Sequence, residues 1–103
     1  MKEKISLKDF QDMDLCVATI IDVKQHPNAD KLWLLKIDLG EEQRQLVAGA
    51  QIGKDLVGKQ VIVLANLEPA LIRGERSEGM LLACEDGTLL MPVKRMPNGT
   101  RVK

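Results

Sequence analysis

The sequence has almost no aromatic residues: the 103 residues include one tryptophan, one phenylalanine and no tyrosine. Proteins that bind single-stranded nucleic acid without sequence preference stack successive bases on several aromatic rings. Trp33 and Phe10 cannot supply such a platform, and we expect Trp33 to be partly buried. The composition therefore argues against general single-strand binding by stacking.

Motifs that carry catalysis or cradle nucleotide phosphates are also missing. The chain has no G-x-G-x-x-G or G-x-x-x-x-G-K-[ST] loop, and Ser77 lacks the G-x-S-x-G context of a hydrolase nucleophile. His26, the only histidine, has no partner at metal-ligand spacing and could be an exposed side chain. We therefore expect no catalytic residue, no metal site and no cofactor.

Long apolar runs are absent as well. No run approaches the roughly 18 residues that a membrane-spanning helix needs, and no apolar stretch follows a basic N-terminus as in a signal peptide. We therefore expect a cytoplasmic protein with no membrane partner. Cys16 and Cys84 each lie in an apolar segment, which predicts buried free thiols rather than a disulfide or a metal pair.

The sequence also has no net charge, because 15 basic residues balance 15 acidic ones. No overall field draws a polyanion towards such a protein. The charge is not evenly spread: residues 1–30 hold four lysines and six acids, whereas residues 61–103 hold six bases and five acids. Any phosphate-binding surface must therefore be a local cluster that folding creates.

What the chain does contain is a series of β-type patterns, which predict a single domain over residues 1–103. Ser6 is placed to cap a short helix, and residues 53–58 fit a second short helix or a turn. Strands are predicted at residues 15–23, 33–39, 44–48, 60–65, 80–84 and 88–93, with a tight hairpin turn at Asp86-Gly87 between the last two. Periodicity alone leaves an OB-type barrel and an SH3-like barrel nearly equal.

Two short segments place turn formers and charges directly ahead of an apolar run. They are His26-Pro27-Asn28-Ala29-Asp30-Lys31-Leu32 and Leu71-Ile72-Arg73-Gly74-Glu75-Arg76-Ser77-Glu78-Gly79-Met80-Leu81-Leu82-Ala83. In this order and spacing the pair resembles the tRNA-binding domain family, over roughly residues 10–102. The resemblance decides between the barrels and implies an all-β fold: a five-stranded Greek-key OB barrel with one or two short helices.

The first segment contributes two candidate RNA-binding residues, Asn28 and Lys31. Lys31 follows a structured loop and would project a cation at the mouth of the barrel, where it could meet a phosphate. Asn28 is a candidate by the resemblance, since this loop belongs to the tRNA surface in the family. Pure turn chemistry is the other interpretation of the loop, above all for Asp30, because Asn and Asp side chains bond the backbone in turns.

The second segment contributes four more candidates. Arg73 and Arg76 can make fork-shaped, charge-assisted contacts with phosphate, and Ser77 can add a neutral hydrogen bond. Met80 offers a polarizable apolar surface to an unstacked base or sugar, although an ordinary core position at the start of a strand is the alternative. Relatives commonly carry several basic residues just before Arg73, whereas residues 66–72 here contain an acid and no base.

The resemblance also implies partners. A tRNA-binding domain of this type would recognise the shape of tRNA, would form a homodimer, and could deliver tRNA to a separate tRNA synthetase subunit. Some small dimeric OB proteins that resemble the family are instead export-type chaperones that hold unfolded peptides. The neutral net charge favours that alternative, and the intact second segment favours tRNA.

Overall fold

The computed structural model describes residues 1–49 and 51–103. Nearly all of its regular structure is β. The strands are β1 (Leu15–Gln25), β2 (Trp33–Asp38), β3 (Gln43–Ala48), β4 (Gln60–Leu64), β5 (Ala70–Ile72), β6 (Glu75–Ser77) and β7 (Met80–Leu81); α1 (Leu7–Gln11) and a 3₁₀ turn (Lys54–Leu56) complete the elements. The predicted cap is present, since the Ser6 hydroxyl accepts the Asp9 backbone N–H at 3.0 Å.

The larger sheet is antiparallel, with the order β3-β2-β1-β4-β7, and β7 also contacts β3 so that the sheet nearly closes on itself. Its interior is filled by branched aliphatic side chains, including Ile20, Leu35, Ile37, Leu46 and Val61, all of them buried. Trp33 packs partly buried against this core, as predicted. The architecture confirms the predicted five-stranded OB-type barrel with short helices.

The first half of β1, residues 16–20, is buried on both faces, which explains its near-continuous apolar sequence, whereas Asp22, Lys24 and Gln25 in the second half are exposed. One face points into the core, and the C-terminal segment runs along the strand: Val17 donates its N–H to the Thr100 carbonyl, and Gly99 and Val102 donate to carbonyls of β1. A strand covered on both faces loses the polar alternation of a half-exposed one. We call residues 97–102 the C-terminal strap.

Two predictions about the chain after residue 66 are wrong. Residues 70–77, to which no regular structure was assigned, form the two-stranded sheet β5–β6, whereas residues 88–93 do not form a strand. The latter segment makes an isolated bridge between Leu89 and Ala83 and single backbone hydrogen bonds to Cys84, Leu82 and Ile62. Pro92 lacks the N–H that a longer ladder would require.

The prediction for the cysteines holds for Cys16 and is wrong for Cys84. Both thiols are free, but Cys84 is exposed because β7 ends at Leu81 and the chain turns at Cys84, whose carbonyl accepts the Gly87 N–H. Burial raises the pKa of the Cys16 thiol, with the Asp14 carboxylate adding to the effect. Cys16 is therefore both shielded and poorly ionised, and only thiolates react readily.

We expect this difference to be visible in thiol labelling. At neutral pH, an excess of a thiol reagent should modify one cysteine rapidly in the native protein and the second only after denaturant is added. The variant Cys84→Ser should abolish the rapid phase. Two equally fast thiols in the native protein would contradict the burial of Cys16.

Candidate nucleic-acid interface

The first segment forms a closed loop between β1 and β2. The His26 backbone N–H donates to the Leu32 carbonyl at 3.0 Å, which joins the two ends of the loop. The Gln25 side chain donates to the Asp30 carbonyl at 3.2 Å and supports the middle. The loop is thus held by its own backbone, as its turn-forming residues predict. We call residues 26–32 the β1–β2 loop.

The second segment forms the β5–β6 hairpin, whose two-residue turn is Arg73-Gly74. Their φ angles are +53° and +89°, the combination of a type I′ turn. Among the described non-glycine residues, Arg73 alone has a positive φ. Asn, Asp or Gly normally occupies the first central position of such a turn, because other side chains are destabilised there by about 1 kcal/mol through steric contact with the backbone. An arginine kept in such a conformation is a reason to look for a function.

The structure brings the two segments together. Asn28 Nδ2 donates to the Arg73 carbonyl at 3.3 Å, and Arg73 Nη2 donates to the Asn28 carbonyl at 3.1 Å. The loop and the turn line an open groove of about 410 Å³, formed by residues 28–32 and Arg73. Three predicted residues, Asn28, Lys31 and Arg73, therefore share one surface although they lie far apart in the sequence. We call it the loop–hairpin groove.

The charges in this groove leave two cations available. In the part of the chain that the structure describes, neither Lys31 nor Arg73 has a carboxylate within 4.0 Å. Arg76, on β6, does not line the groove; it approaches the Glu78 carboxylate at 3.7 Å, an exposed pair that contributes little energy and leaves the guanidinium accessible. Asp30 also lines the groove and offsets part of its positive charge.

The other two predicted residues occupy different surroundings. Ser77 is buried, and its hydroxyl accepts the Val47 N–H at 3.0 Å and donates to the Gly79 carbonyl at 3.3 Å. Its hydroxyl is committed to attaching the hairpin to β3, and a direct contact with a ligand stays a prediction. Met80 is 50% exposed, so its side chain is accessible, but it does not line the loop–hairpin groove.

Sequence reasoning missed His26 and Leu71. His26 is buried, although the sequence allowed an exposed side chain, and both of its ring nitrogens are hydrogen-bonded. Leu71 is 75% exposed on β5, opposite Arg76 in the hairpin. The burial of His26 has no local signal, because its partner in the hairpin is 46 residues away.

A second depression of similar volume, about 380 Å³, lies at the start of β1 and contains more charged residues. Four of its five charged residues are paired with one another, the exception being Glu41: Asp14 pairs with Arg101 at 3.2 Å, and Glu42 pairs with Arg44 at 2.6 Å. It therefore offers less to a charged ligand than the loop–hairpin groove does.

Across residues 1–49 and 51–103, no group of three or more potential metal ligands occurs, and no helix there is both long and apolar enough to cross a membrane.

The fold and the groove define the class of the protein: an OB-type barrel with a partly cationic surface made by the β1–β2 loop and a hairpin. The family follows from sequence comparison. The chain belongs to the tRNA-binding domain family, since the family described as "Putative tRNA binding domain" matches residues 15–101. The resemblance drawn from the two segments is thereby confirmed.

The most informative sequence relatives are archaeal methionine–tRNA ligases. The chain is 49% identical to the enzyme of Thermococcus onnurineus and 50% identical to that of Pyrococcus horikoshii, in each case over 98% of this chain. It spans only 15% of the length of either relative. The likeness thus concerns one region of those enzymes, and the matching family is a binding domain rather than a catalytic one.

Two solved structures of similar length share the fold. The MetRS related protein from Pyrococcus horikoshii has a TM-score of 0.85 at 29% identity, covering 99% of this chain and all of that one. The chaperone CsaA from Bacillus anthracis has a TM-score of 0.86 at 28% identity, covering 98% of this chain and all of that one. The structural neighbours thus include a MetRS related protein and a chaperone.

Proposed function

We propose that residues 1–103 form a single tRNA-binding domain that recognises the shape of tRNA rather than its sequence. One observation carries the proposal: folding joins the two family segments into one groove that presents Lys31 and Arg73 without acidic partners. Such cations contact phosphates, which position a nucleic acid without reading its bases. Arg76 extends the cationic surface along β6, and Asn28 holds the groove together.

Shape recognition is supported by what surrounds the cations. The exposed side chains of Leu71 and Met80 are apolar and can contact a sugar or an unstacked base, but they cannot read base edges through hydrogen bonds. A folded RNA offers closely spaced phosphates where its helices bend, together with splayed bases. The domain thus acts as a binding protein without a catalytic step of its own.

The salt dependence of binding tests this proposal. With contacts from Lys31, Arg73 and Arg76, the association constant for total tRNA should fall roughly 40-fold between 50 and 200 mM salt, a log–log slope of about −2.7. Filter retention or fluorescence anisotropy with labelled tRNA would measure it. The matched control is the same tRNA unfolded by heat and by removal of Mg²⁺, which should bind more weakly. The absence of binding at 50 mM salt would contradict the proposal.

The proposed assembly is a cytoplasmic homodimer that assists a tRNA synthetase subunit. Exposed apolar side chains at Leu90, Met91 and Val93 support self-association, because such side chains gain from burial against a second copy. The methionine–tRNA ligases among its relatives support the synthetase partner. Light scattering coupled to size exclusion would give the molar mass, and a value near the monomer mass of 11.5 kDa would contradict the dimer.

The alternative function is a chaperone that binds unfolded peptides. It is favoured by the structural likeness to a protein titled a chaperone and by the exposed apolar side chains of Leu71 and Met80. A peptide binder should hold an unfolded apolar peptide with little salt dependence, whereas a tRNA binder should lose its ligand steeply as salt rises. The same titration with an unfolded peptide therefore separates the two functions.

A further inference from the structure

His26 occupies a singular position at the base of the β1–β2 loop. It is 3% exposed, and each of its ring nitrogens contacts a different element. Nδ1 lies 2.9 Å from the Asn28 backbone nitrogen, within its own loop. Nε2 lies 2.9 Å from the Ile72 carbonyl oxygen, the last residue of β5. The imidazole is therefore a bridge between the loop and the hairpin.

The two partners determine the state of the ring. The Asn28 N–H can only donate, so Nδ1 must carry a lone pair, and the Ile72 carbonyl can only accept, so Nε2 must carry the proton. The ring is thus the neutral Nε2–H tautomer, because second partners fix the tautomer of a histidine. A protonated ring would place two hydrogens against each other at Nδ1.

The bridge matters because it attaches β5, whereas the attachments from β3 hold β6: Gln45 Nε2 donates to the Arg76 carbonyl at 2.9 Å and to the Glu75 carboxylate at 3.4 Å. β5 and β6 form a two-stranded sheet of their own, and such a hairpin depends on contacts with neighbouring elements for its stability. The reciprocal bonds between Asn28 and Arg73 are exposed, so water competes for them. The His26 ring is buried, and its two hydrogen bonds are partly shielded from water. In such surroundings a hydrogen bond is stronger and its loss leaves unpaired groups.

We propose that His26 is the positioning residue of the loop–hairpin groove, fixing Lys31 and Arg73 at one separation that matches phosphates of a folded RNA. This inference rests on the proposed tRNA binding. A groove held in its bound shape saves the ordering that binding would otherwise require. His26 itself stays below the surface and does not touch the ligand.

Two substitutions each remove one of the two hydrogen bonds of His26 and keep the other. The side chain of His26→Asn can still accept the Asn28 N–H but cannot reach Ile72, and that of His26→Gln can still donate to Ile72 but cannot serve Asn28. If the bridge as a whole positions the groove, each variant should bind tRNA roughly tenfold more weakly than the wild type. The slope of the salt dependence should stay unchanged, because Lys31, Arg73 and Arg76 still reach phosphates in the complex.

That unchanged slope separates positioning from contact. Removing a phosphate contact should reduce the magnitude of the slope by about one. A reduced slope in the His26 variants would therefore overturn the positioning role, and so would wild-type affinity in both variants. If the wild type binds no tRNA, the proposed tRNA-binding function is wrong. The hydrogen-bonded bridge of His26 is then tested by a separate measurement on the free protein.

That measurement is nuclear magnetic resonance of the ¹⁵N-labelled wild type. It tests the bridge even if the His26 variants do not fold. Because the chain has a single histidine, its two imidazole nitrogens give one pair of signals. We expect the pattern of the Nε2–H tautomer at neutral pH and slow exchange of the Asn28 amide. In His26→Asn and His26→Gln, the amides of the β5–β6 hairpin should exchange faster. The Nδ1–H tautomer, or unchanged hairpin exchange, would overturn the inference.

Discussion

The double variant Lys31→Ala, Arg73→Asn is expected to bind tRNA roughly 100-fold more weakly than the wild type. The variant removes the two cations of the loop–hairpin groove that have no acidic partner among the described residues. At about 1.5 kcal/mol for each exposed charge-assisted hydrogen bond, the lower end of the usual range, the loss is about 3 kcal/mol. The log–log salt slope should become shallower by about two units, one for each lost phosphate contact. Titration of labelled tRNA at several salt concentrations measures both quantities.

Asparagine is chosen at position 73 because it keeps the turn. Arg73 has a φ of +53°, and asparagine tolerates that conformation better than arginine does. The variant loses the exposed hydrogen bond from Arg73 Nη2 to the Asn28 carbonyl, which is destabilising. It also removes part of the steric cost of the left-handed backbone conformation, which is stabilising. The free energy of unfolding should therefore change by less than about 1 kcal/mol. A loss of binding without a loss of stability would assign the arginine a functional role.

The control is a second double variant, Lys59→Ala, Lys94→Ala, which removes the same charge elsewhere. Both lysines are exposed and line a separate depression of about 280 Å³ near the end of the chain. If tRNA binding depends on the loop–hairpin groove, this control should keep nearly wild-type affinity. Equal losses in the two double variants would mean that tRNA responds to overall charge, and the assignment of the groove would be wrong.

The strands of the barrel could be predicted because their residues carry the pattern locally. Alternating and β-branched residues in β1 and β2 are sufficient to indicate strands, and their pairing follows from the antiparallel order. The hairpin β5–β6 was missed because its type I′ turn carries Arg73 where an asparagine or glycine would have signalled it. The arginine that concealed the hairpin from sequence analysis is also the residue proposed to contact phosphate.

The candidate site could be predicted only in part, for a different physical reason. Sequence pointed to Asn28, Lys31 and Arg73, and the structure brings these together, but their role in binding stays a prediction. The burial of His26 depends on a carbonyl in a distant strand, which no local pattern reveals. The commitment of the Ser77 hydroxyl to Val47 likewise depends on tertiary packing.

The substitution Gly99→Ala is expected to lower the free energy of unfolding by about 3 kcal/mol. Gly99 lies in the C-terminal strap with a φ of +88°, and a Cβ there would lie 2.6 Å from the Leu39 backbone oxygen. The left-handed conformation costs alanine about 1–2 kcal/mol, and the close contact adds about 1–3 kcal/mol because a backbone atom must move. For a domain of this size the melting temperature should fall by about 12–24 °C.

Gly58→Ala is the matched control for that change. Gly58 has nearly the same φ, +89°, but a Cβ there would have no atom within 4 Å. It should therefore cost only the conformational part, about 1–2 kcal/mol, and the difference between the two variants isolates the contact between the strap and Leu39. Thermal melts of both variants measure it, and equal losses would contradict a close approach of the strap to the barrel. Because neither glycine lines the loop–hairpin groove, the folded fraction of each variant should bind tRNA as the wild type does.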